Sequence, residues 1–575
     1  MDDYHRTEFI MSRQNTSGIA KHVDRADIVI IGNGIAGLTA AVEARRLAPD
    51  KRIAIITEQS HPTINTPALK QFAIGKLARE QLLAYPAGTE RAQTIHVINA
   101  RVEKISAQGK YVCLPGVRGF GYDNLLIATG STATGLPANL PGRDFDGILT
   151  LHRLQDYLDL RRRLPEVEEA VVIGGGPHAI ETVMSLLYWG IAVHWLIRSD
   201  TFLPRMLDRP ASEMVLDHTR RAGAKIYTET EVIGIVGRVG SVAGVVTNQH
   251  QMLPCQLVLV CTGTTPVTTL AEQCDLPMQQ RHGILVDDCL RTSTRDVYAA
   301  GDVAALRDPQ TGRYSTRAQW YAAVLQGRVV AAAMTGTSYE EGFGVPWHAT
   351  RLGELSMLTV GNPLLWRDAA AILTDSSRGS YRRLTIMDDR LIGYLSLGPA
   401  QPDSLAIKRI IDEGLSIRDI KKALLKGNFD ARTYFSRKRT SAAERMVTTG
   451  KLPTPLPPAV VDLYADREMP LIHNGRDSAR SYNGPGRGSS TTSAHLARVL
   501  PDTGPLAAGQ QGREAGHPIV ESTLVALPSR SSHQVSRNLW SYSDKLPAVQ
   551  SNMASARPRP KHAKQFIAPT GIVRD

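Results

Sequence analysis

Residues 26–40, ADIVIIGNGIAGLTA, restrict the fold of this chain more than any other stretch. Ile28 to Ile31 are apolar and mostly β-branched with no polar face, which predicts a fully buried parallel strand. Gly32, Gly34 and Gly37 follow as G-x-G-x-x-G, with Asn33 and Ala36 between them, and from Leu38 the pattern turns helical. Each glycine has its own task. Gly32 makes the tight turn, Gly34 lets the backbone approach a pyrophosphate, and Gly37 lets helix and strand pack closely. The helix N-terminus then offers N–H groups to phosphate charge. A second apolar strand, RIAIIT at 52–57, ends in Glu58. That is about 20 residues past the last glycine, where an acid takes a ribose 2′-OH. A glycine-rich turn without a ligand is the plain alternative, and strand, glycines, helix, strand and acid in register outweigh it.

The pattern returns at 170–181, AVVIGGGPHAIE. Gly174 and Gly176 repeat the first two glycines, Ala179 is a tolerated replacement for the third, and Pro177 at the helix start loses no needed donor. The next strand, 191–197, ends in Arg198 instead of an acid, with Arg205 further on. An arginine there accommodates a 2′-phosphate and points to NADP over NAD, against the alternative of a solvated strand-end side chain. The strand running into Ala128, Thr129 and Gly130, and the VLVCTGT stretch at 258–264 with Gly263, end in small residues. Small side chains let a phosphate or sugar lie against the backbone. At 292–302, TSTRDVYAAGD, a strand delivers Asp302 at its C-terminal end, where ligands of open α/β sheets sit. Asp302 is placed to bond a sugar-alcohol chain or ribose, or alternatively to cap a following helix. A helix at 318–334 follows, its N-terminus able to stabilise negative charge on a reduced ring. Trp320 at its start borders that ring or packs in the core.

The chain divides as a leader at 1–25, a first nucleotide domain at 26–146 and 270–336, a second at 147–269, a small α+β domain at 340–430 and a tail at 431–575. In the small domain, strands at 355–360, 381–387 and 390–397 precede helices near 406–413 and 417–425, with a hairpin turning at Asp388-Asp389. The tail is rich in Pro, Ser, Gly and Arg without apolar period, and reads as disordered. Formal charge is +12, and residues 431–575 carry 20 Lys and Arg against 10 Asp and Glu. The basic character is therefore local, and a solvated tail is favoured over nucleic-acid binding. The leader lacks the apolar segment of a signal peptide, and no run is apolar and long enough for a transmembrane helix. Five cysteines with no metal-ligand spacing fit a reducing, cytoplasmic compartment and no metal site.

Together, Gly32-x-Gly34-x-x-Gly37 with Glu58, Ala128-Thr-Gly130, Gly174-Gly-Gly176-x-x-Ala179-x-Glu181 and Thr292 to Asp302 resemble the FAD-dependent pyridine nucleotide-disulfide oxidoreductase superfamily. The Gly-Asn-Gly opening, Pro67 to Lys76 and the Trp320 helix are similar to its branch of rubredoxin and ferredoxin reductases and the flavin half of assimilatory nitrite reductase. The resemblance implies two Rossmann-like domains, FAD on the first signature, NAD(P)H on the second, and Asp302 on the FAD ribityl chain. It also implies a pair at the flavin, Lys70 beside the ring and Glu181 facing the isoalloxazine. The thiol branches place cysteines soon after Glu58, whereas this chain reads His61-Pro-Thr-Ile-Asn-Thr66, so thiol relay chemistry is excluded. No iron–sulfur or sirohaem cysteine set follows, which excludes a complete nitrite reductase.

The implied activity is transfer from NAD(P)H, with NADPH favoured, through FAD to a ferredoxin- or rubredoxin-type carrier. A direct NAD(P)H oxidase or quinone reductase using a small-molecule acceptor is the alternative in the same chemistry. A slow-turnover redox-sensing flavoprotein that binds through its basic tail is the alternative of another class.

Overall fold

The apolar run of the first motif lies at the centre of a seven-stranded sheet. The computed structural model describes residues 24–279, 282–339, 342–352, 355–365, 370–377, 379–399 and 404–437. The leader up to residue 23 and the tail from 438 lie outside the described residues. All of the described residues fall within one compact unit.

Strand Asp24–Ile31 begins two residues before the expected domain start and pairs in parallel with Ile53–Thr57 on one side and Val117–Ile127 on the other. Ile28, Val29 and Ile30 are fully buried because helices or further chain cover both faces. The Val297–Ala299 strand adds to the same sheet beside Val117–Ile127. Chain between these two contributions supplies a second, all-parallel sheet. Its order is Lys225–Tyr227, Ala192–Leu196, Glu169–Ile173, Leu257–Val260 and Ile148–Thr150. A two-stranded antiparallel ribbon, Ser131–Ala133 against Thr264–Pro266, links the chain where it passes between the sheets. Two dinucleotide-type units of this kind place ligands beyond the C-terminal ends of their central strands.

The helix after Asp302 in the alternative reading is absent, since strand Ala304–Arg307 follows instead. The expected helix at 318–334 spans Trp320–Thr335 and ends at Gly336, whose left-handed φ of 76° closes it. It lies across Ile35–Leu47 at Gly327. A Cβ on Gly327 would stand 2.7 Å from the Ala36 carbonyl oxygen and 2.8 Å from Thr39 Cβ. Only glycine lets the two backbones meet there.

The third region is a five-stranded antiparallel sheet in the order Trp347–Leu352, Leu355–Gly361, Arg390–Gly398, Ser380–Met387 and Ala371–Ser377. The first and last of these strands escape the sequence pattern because Arg351, Asp375 and Ser376 break the apolar alternation. Asp388 and Asp389 have φ of 50° and 56°, the paired left-handed conformation that a tight hairpin requires. Helices Ser404–Asp412 and Lys421–Lys426 cover one face. The boundary at 430 falls short. Phe435 is 7% exposed in the core of this region, and the Arg409 guanidinium lies 4.5 Å from its ring centroid. Packing therefore continues past residue 430.

Gly327→Ala should destabilise the protein by about 1–3 kcal/mol through forced separation of the two helices. Chemical denaturation measures this, and an unchanged midpoint would show that the contact yields without cost.

Candidate functional site

The two glycine motifs fold alike. Gly32 has φ of 107°, and a Cβ on it would lie 2.4 Å from the Ala128 carbonyl oxygen. Gly174 has φ of 136°, and a Cβ on it would lie 2.2 Å from the Cys261 carbonyl oxygen. In both, the turn presses against the end of the neighbouring parallel strand. Gly37 is needed for packing, since its Cβ would come 2.1 Å from the Gly32 carbonyl oxygen. Ala179 fills the matching place in the second motif and is fully buried.

The middle glycines differ in kind. A Cβ on Gly34 or on Gly176 meets nothing within 4 Å. Each is the N-cap of a helix, Ile35–Leu47 and Pro177–Tyr188, with no side-chain cap and no acid in the first turn. The space beside both helix N-termini is open at these glycines, which suits a phosphate. Gly130 and Gly263, with φ of 70° and 109°, are open in the same way. This is the cradle a dinucleotide needs, and the residues present fit FAD on the first motif and a nicotinamide nucleotide on the second.

Around the first motif, Asn33 donates from Nδ2 to Glu90 at 2.9 Å, while its buried Oδ1 has no partner. Thr129 donates to the Val267 carbonyl at 2.8 Å, fixing the turn that contains Ala128 and Gly130. Asp302 accepts from Ser131 Oγ at 2.8 Å, and burial raises its carboxyl above the usual range. Gln326 is wholly buried, accepts from the Gly301 N–H at 2.8 Å, and leaves Nε2 unpaired. Trp320 Nε1 is likewise buried without a partner. Unpaired buried donors are costly, so both suit a polar ligand. Glu58 is exposed at the strand end, 4.0 Å from Arg101.

Lys70, on Leu69–Ala73, donates to Glu181 Oε2, on Pro177–Tyr188. The pair spans the two nucleotide units, and both side chains are largely buried. Thr350 from the third region donates to the other oxygen, Oε1, at 2.5 Å. Burial pushes the Lys70 ammonium down to about 8, a shift that the carboxylate beside it opposes. Two imidazoles feel that ammonium. His178, bonded to Tyr157 OH at 3.0 Å, is pushed down to about 3 by burial and by Lys70. Burial and Lys70 likewise lower His348 to about 4. Cys261 is pushed up to about 11 by burial, the state of an inert thiol.

Arg198 and Arg205 stand apart from this cluster. Arg198 is 83% exposed, with Nε 3.8 Å from Glu231, and Arg205, seven residues on, is exposed too. The structure adds Ser131, Gln326, Thr350, His178 and His348 to these contacts. Thr350 and His348 sit in a strand whose sequence carries no motif, and Ser131 follows Gly130 without any signal. Gln326, next to the tight Gly327, was the one findable from its helix. Among the described residues no group of side chains could hold a metal, and no helix is long and apolar enough to cross a membrane.

A family model described as pyridine nucleotide-disulphide oxidoreductase matches residues 26–327. Rubredoxin-NAD(+) reductase of Pseudomonas putida is 28% identical over 54% of this chain and 80% of that protein. A ferredoxin–NAD(P)(+) reductase of a Sphingomonas species is 28% identical over 67% of this chain and 92% of its own length. Among solved structures, a ferredoxin reductase from Rhodopseudomonas palustris matches with a TM-score of 0.59 at 26% identity, covering 64% of this chain and 91% of that one.

The glycines give a paired test. Gly34→Ala should unfold at the wild-type midpoint yet hold FAD about tenfold more weakly, a loss of about 1.4 kcal/mol. Gly32→Ala should lower the unfolding midpoint itself through its clash and its φ. Gly34→Ala holding FAD as tightly as wild type, read from flavin absorbance after ultrafiltration, would contradict the cradle.

Proposed function

This chain belongs to the pyridine nucleotide-disulphide oxidoreductase family and is an FAD-dependent NAD(P)H oxidoreductase, and from that membership we propose that it reduces a small iron–sulfur carrier protein at the expense of NADPH. Bound FAD supplies two-electron uptake from nicotinamide and release to an acceptor. The observation that carries the reading is the Lys70–Glu181 pair, buried between the two nucleotide units and braced by Thr350.

A buried ammonium or carboxylate alone is costly, and each offsets the other here. We assign Lys70 to hold positive charge beside the flavin ring, where negative charge develops on reduction. Glu181, fixed by bonds to Lys70 and Thr350, orients the nicotinamide amide. Asp302 and Ser131 hold the ribityl chain. Gly34 and the Ile35–Leu47 helix take the FAD pyrophosphate, and Gly176 and its helix take that of the nicotinamide nucleotide. Arg198, exposed at the end of its strand, is open to a 2′-phosphate, and Arg205 supports it.

The relatives named as rubredoxin and ferredoxin reductases support an iron–sulfur carrier as acceptor. The five cysteines are all free, which supports a reducing, cytoplasmic setting.

Lys70→Met should slow flavin reduction about tenfold, or about 1.4 kcal/mol of barrier. Glu181→Ala should act on nicotinamide positioning, and the double variant should cost less than the product of the singles because the residues share one interaction. In wild type the reduction rate should fall at alkaline pH, as the ammonium, which burial holds below its ordinary range, loses its proton. Rapid-mixing rates that multiply strictly would refute the pair. Arg198→Glu should reverse the preference for NADPH over NADH in kcat/KM, with a contact loss of about 1.5–3 kcal/mol. Unchanged ratios would leave Arg198 a surface residue.

A further inference from the structure

Strand Trp347–Leu352 brings a second side chain into the space around the ion pair. Residues two apart on a strand share a face, so His348 lies on the same side as Thr350, whose hydroxyl bonds Glu181. The Lys70 charge reaches the imidazole and helps keep it neutral. Its Nε2 is buried and has no hydrogen-bond partner. Its Nδ1 meets the side-chain amide of Gln319, the N-cap residue of Trp320–Thr335.

The neighbours of that amide fix the tautomer. Tyr321 OH meets both the Gln319 amide and the Trp347 carbonyl oxygen. A phenol has one proton and a carbonyl only accepts, so the Tyr321 proton goes to Trp347. The phenol oxygen is then an acceptor toward Gln319. With Gln319 Oε1 toward Tyr321, two oxygens would face each other with no proton between them. Oxygen and nitrogen of an amide are told apart by their partners, and turning the amide end for end satisfies every contact. Its nitrogen donates to Tyr321 and its oxygen accepts from His348 Nδ1–H. Nε2 is left as a bare lone pair, buried and without a partner, and an acceptor so placed favours any ligand that brings a donor.

We infer that His348 is a flavin-binding residue whose bare Nε2 accepts a hydrogen bond from an N–H of the isoalloxazine, with Gln319 and Tyr321 fixing its tautomer. The third region then completes the cofactor site by two side chains of one strand, Thr350 through Glu181 and His348 directly. The inference rests on the proposed placing of the flavin ring beside Lys70 and Glu181.

The full chain loaded with FAD provides the test. His348→Phe keeps a flat ring and removes the acceptor. It should raise the Kd for FAD about three- to tenfold and displace the visible flavin bands. Gln319→Leu frees the tautomer and should weaken FAD binding in the same direction by a smaller factor. Nitrogen-15 spectra of the loaded wild type should show His348 protonated on Nδ1 and bare on Nε2. A His348→Phe variant with wild-type Kd and spectrum, or a wild-type His348 protonated on Nε2, would overturn the inference. Should His348→Phe fail to fold, the Gln319→Leu affinity and the tautomer decide. Failure of the underlying site looks different: Lys70→Met then leaves flavin bands and reduction rate at wild-type values.

Discussion

Two close approaches of backbone to backbone set the rest of this molecule in place. Gly32 rests against the Ala128 carbonyl and Gly174 against the Cys261 carbonyl, each at a distance that excludes a Cβ. Each contact brings a strand end, a helix N-terminus and a neighbouring strand end to one point. The glycine two positions on is then left open at the mouth, and its helix has no cap of its own. A ligand with a pyrophosphate supplies what both helix ends lack. The same contact made twice in one chain yields two such mouths, as a reductase with both a resident and an exchanging nucleotide requires.

Between them stands the ion pair of Lys70 and Glu181. Replacing such a pair by apolar residues is often neutral or stabilising, whereas removing one partner is strongly destabilising. Stability therefore explains its presence poorly, in keeping with the proposed role beside a ring that gains negative charge. Thr350 ties the carboxylate to the third region, and Gly327 holds the Trp320–Thr335 helix against the first motif helix. The ion pair and the two helices are thereby referred to one frame.

The parts legible in the sequence are those with short-range grammar. Buried parallel strands, glycine turns and the Asp388-Asp389 hairpin each declare themselves within a few residues, because local sterics dictate them. Lys70 and Glu181 could be paired only through the resemblance, and they meet across 111 positions of sequence. Contacts that arise solely from tertiary packing left no trace. Thr350 reaches Glu181 because a strand of mixed polarity happens to border it, and Phe435 is buried because it packs against Arg409 and its helix. Asp302 as a helix cap was a reasonable local alternative, and it failed because a short strand follows where composition allowed either.

On the proposed function, electrons from a reduced nicotinamide leave this protein to an iron–sulfur carrier. The direct measurement is anaerobic stopped-flow reoxidation of the NADPH-reduced protein, mixed in turn with ferredoxin, rubredoxin, a quinone and oxygen. Reoxidation by one of the iron–sulfur proteins should be at least about tenfold faster than by quinone or oxygen at equal concentration, a barrier difference of about 1.4 kcal/mol. Fastest reoxidation by oxygen or quinone, with both carriers inert, would contradict it.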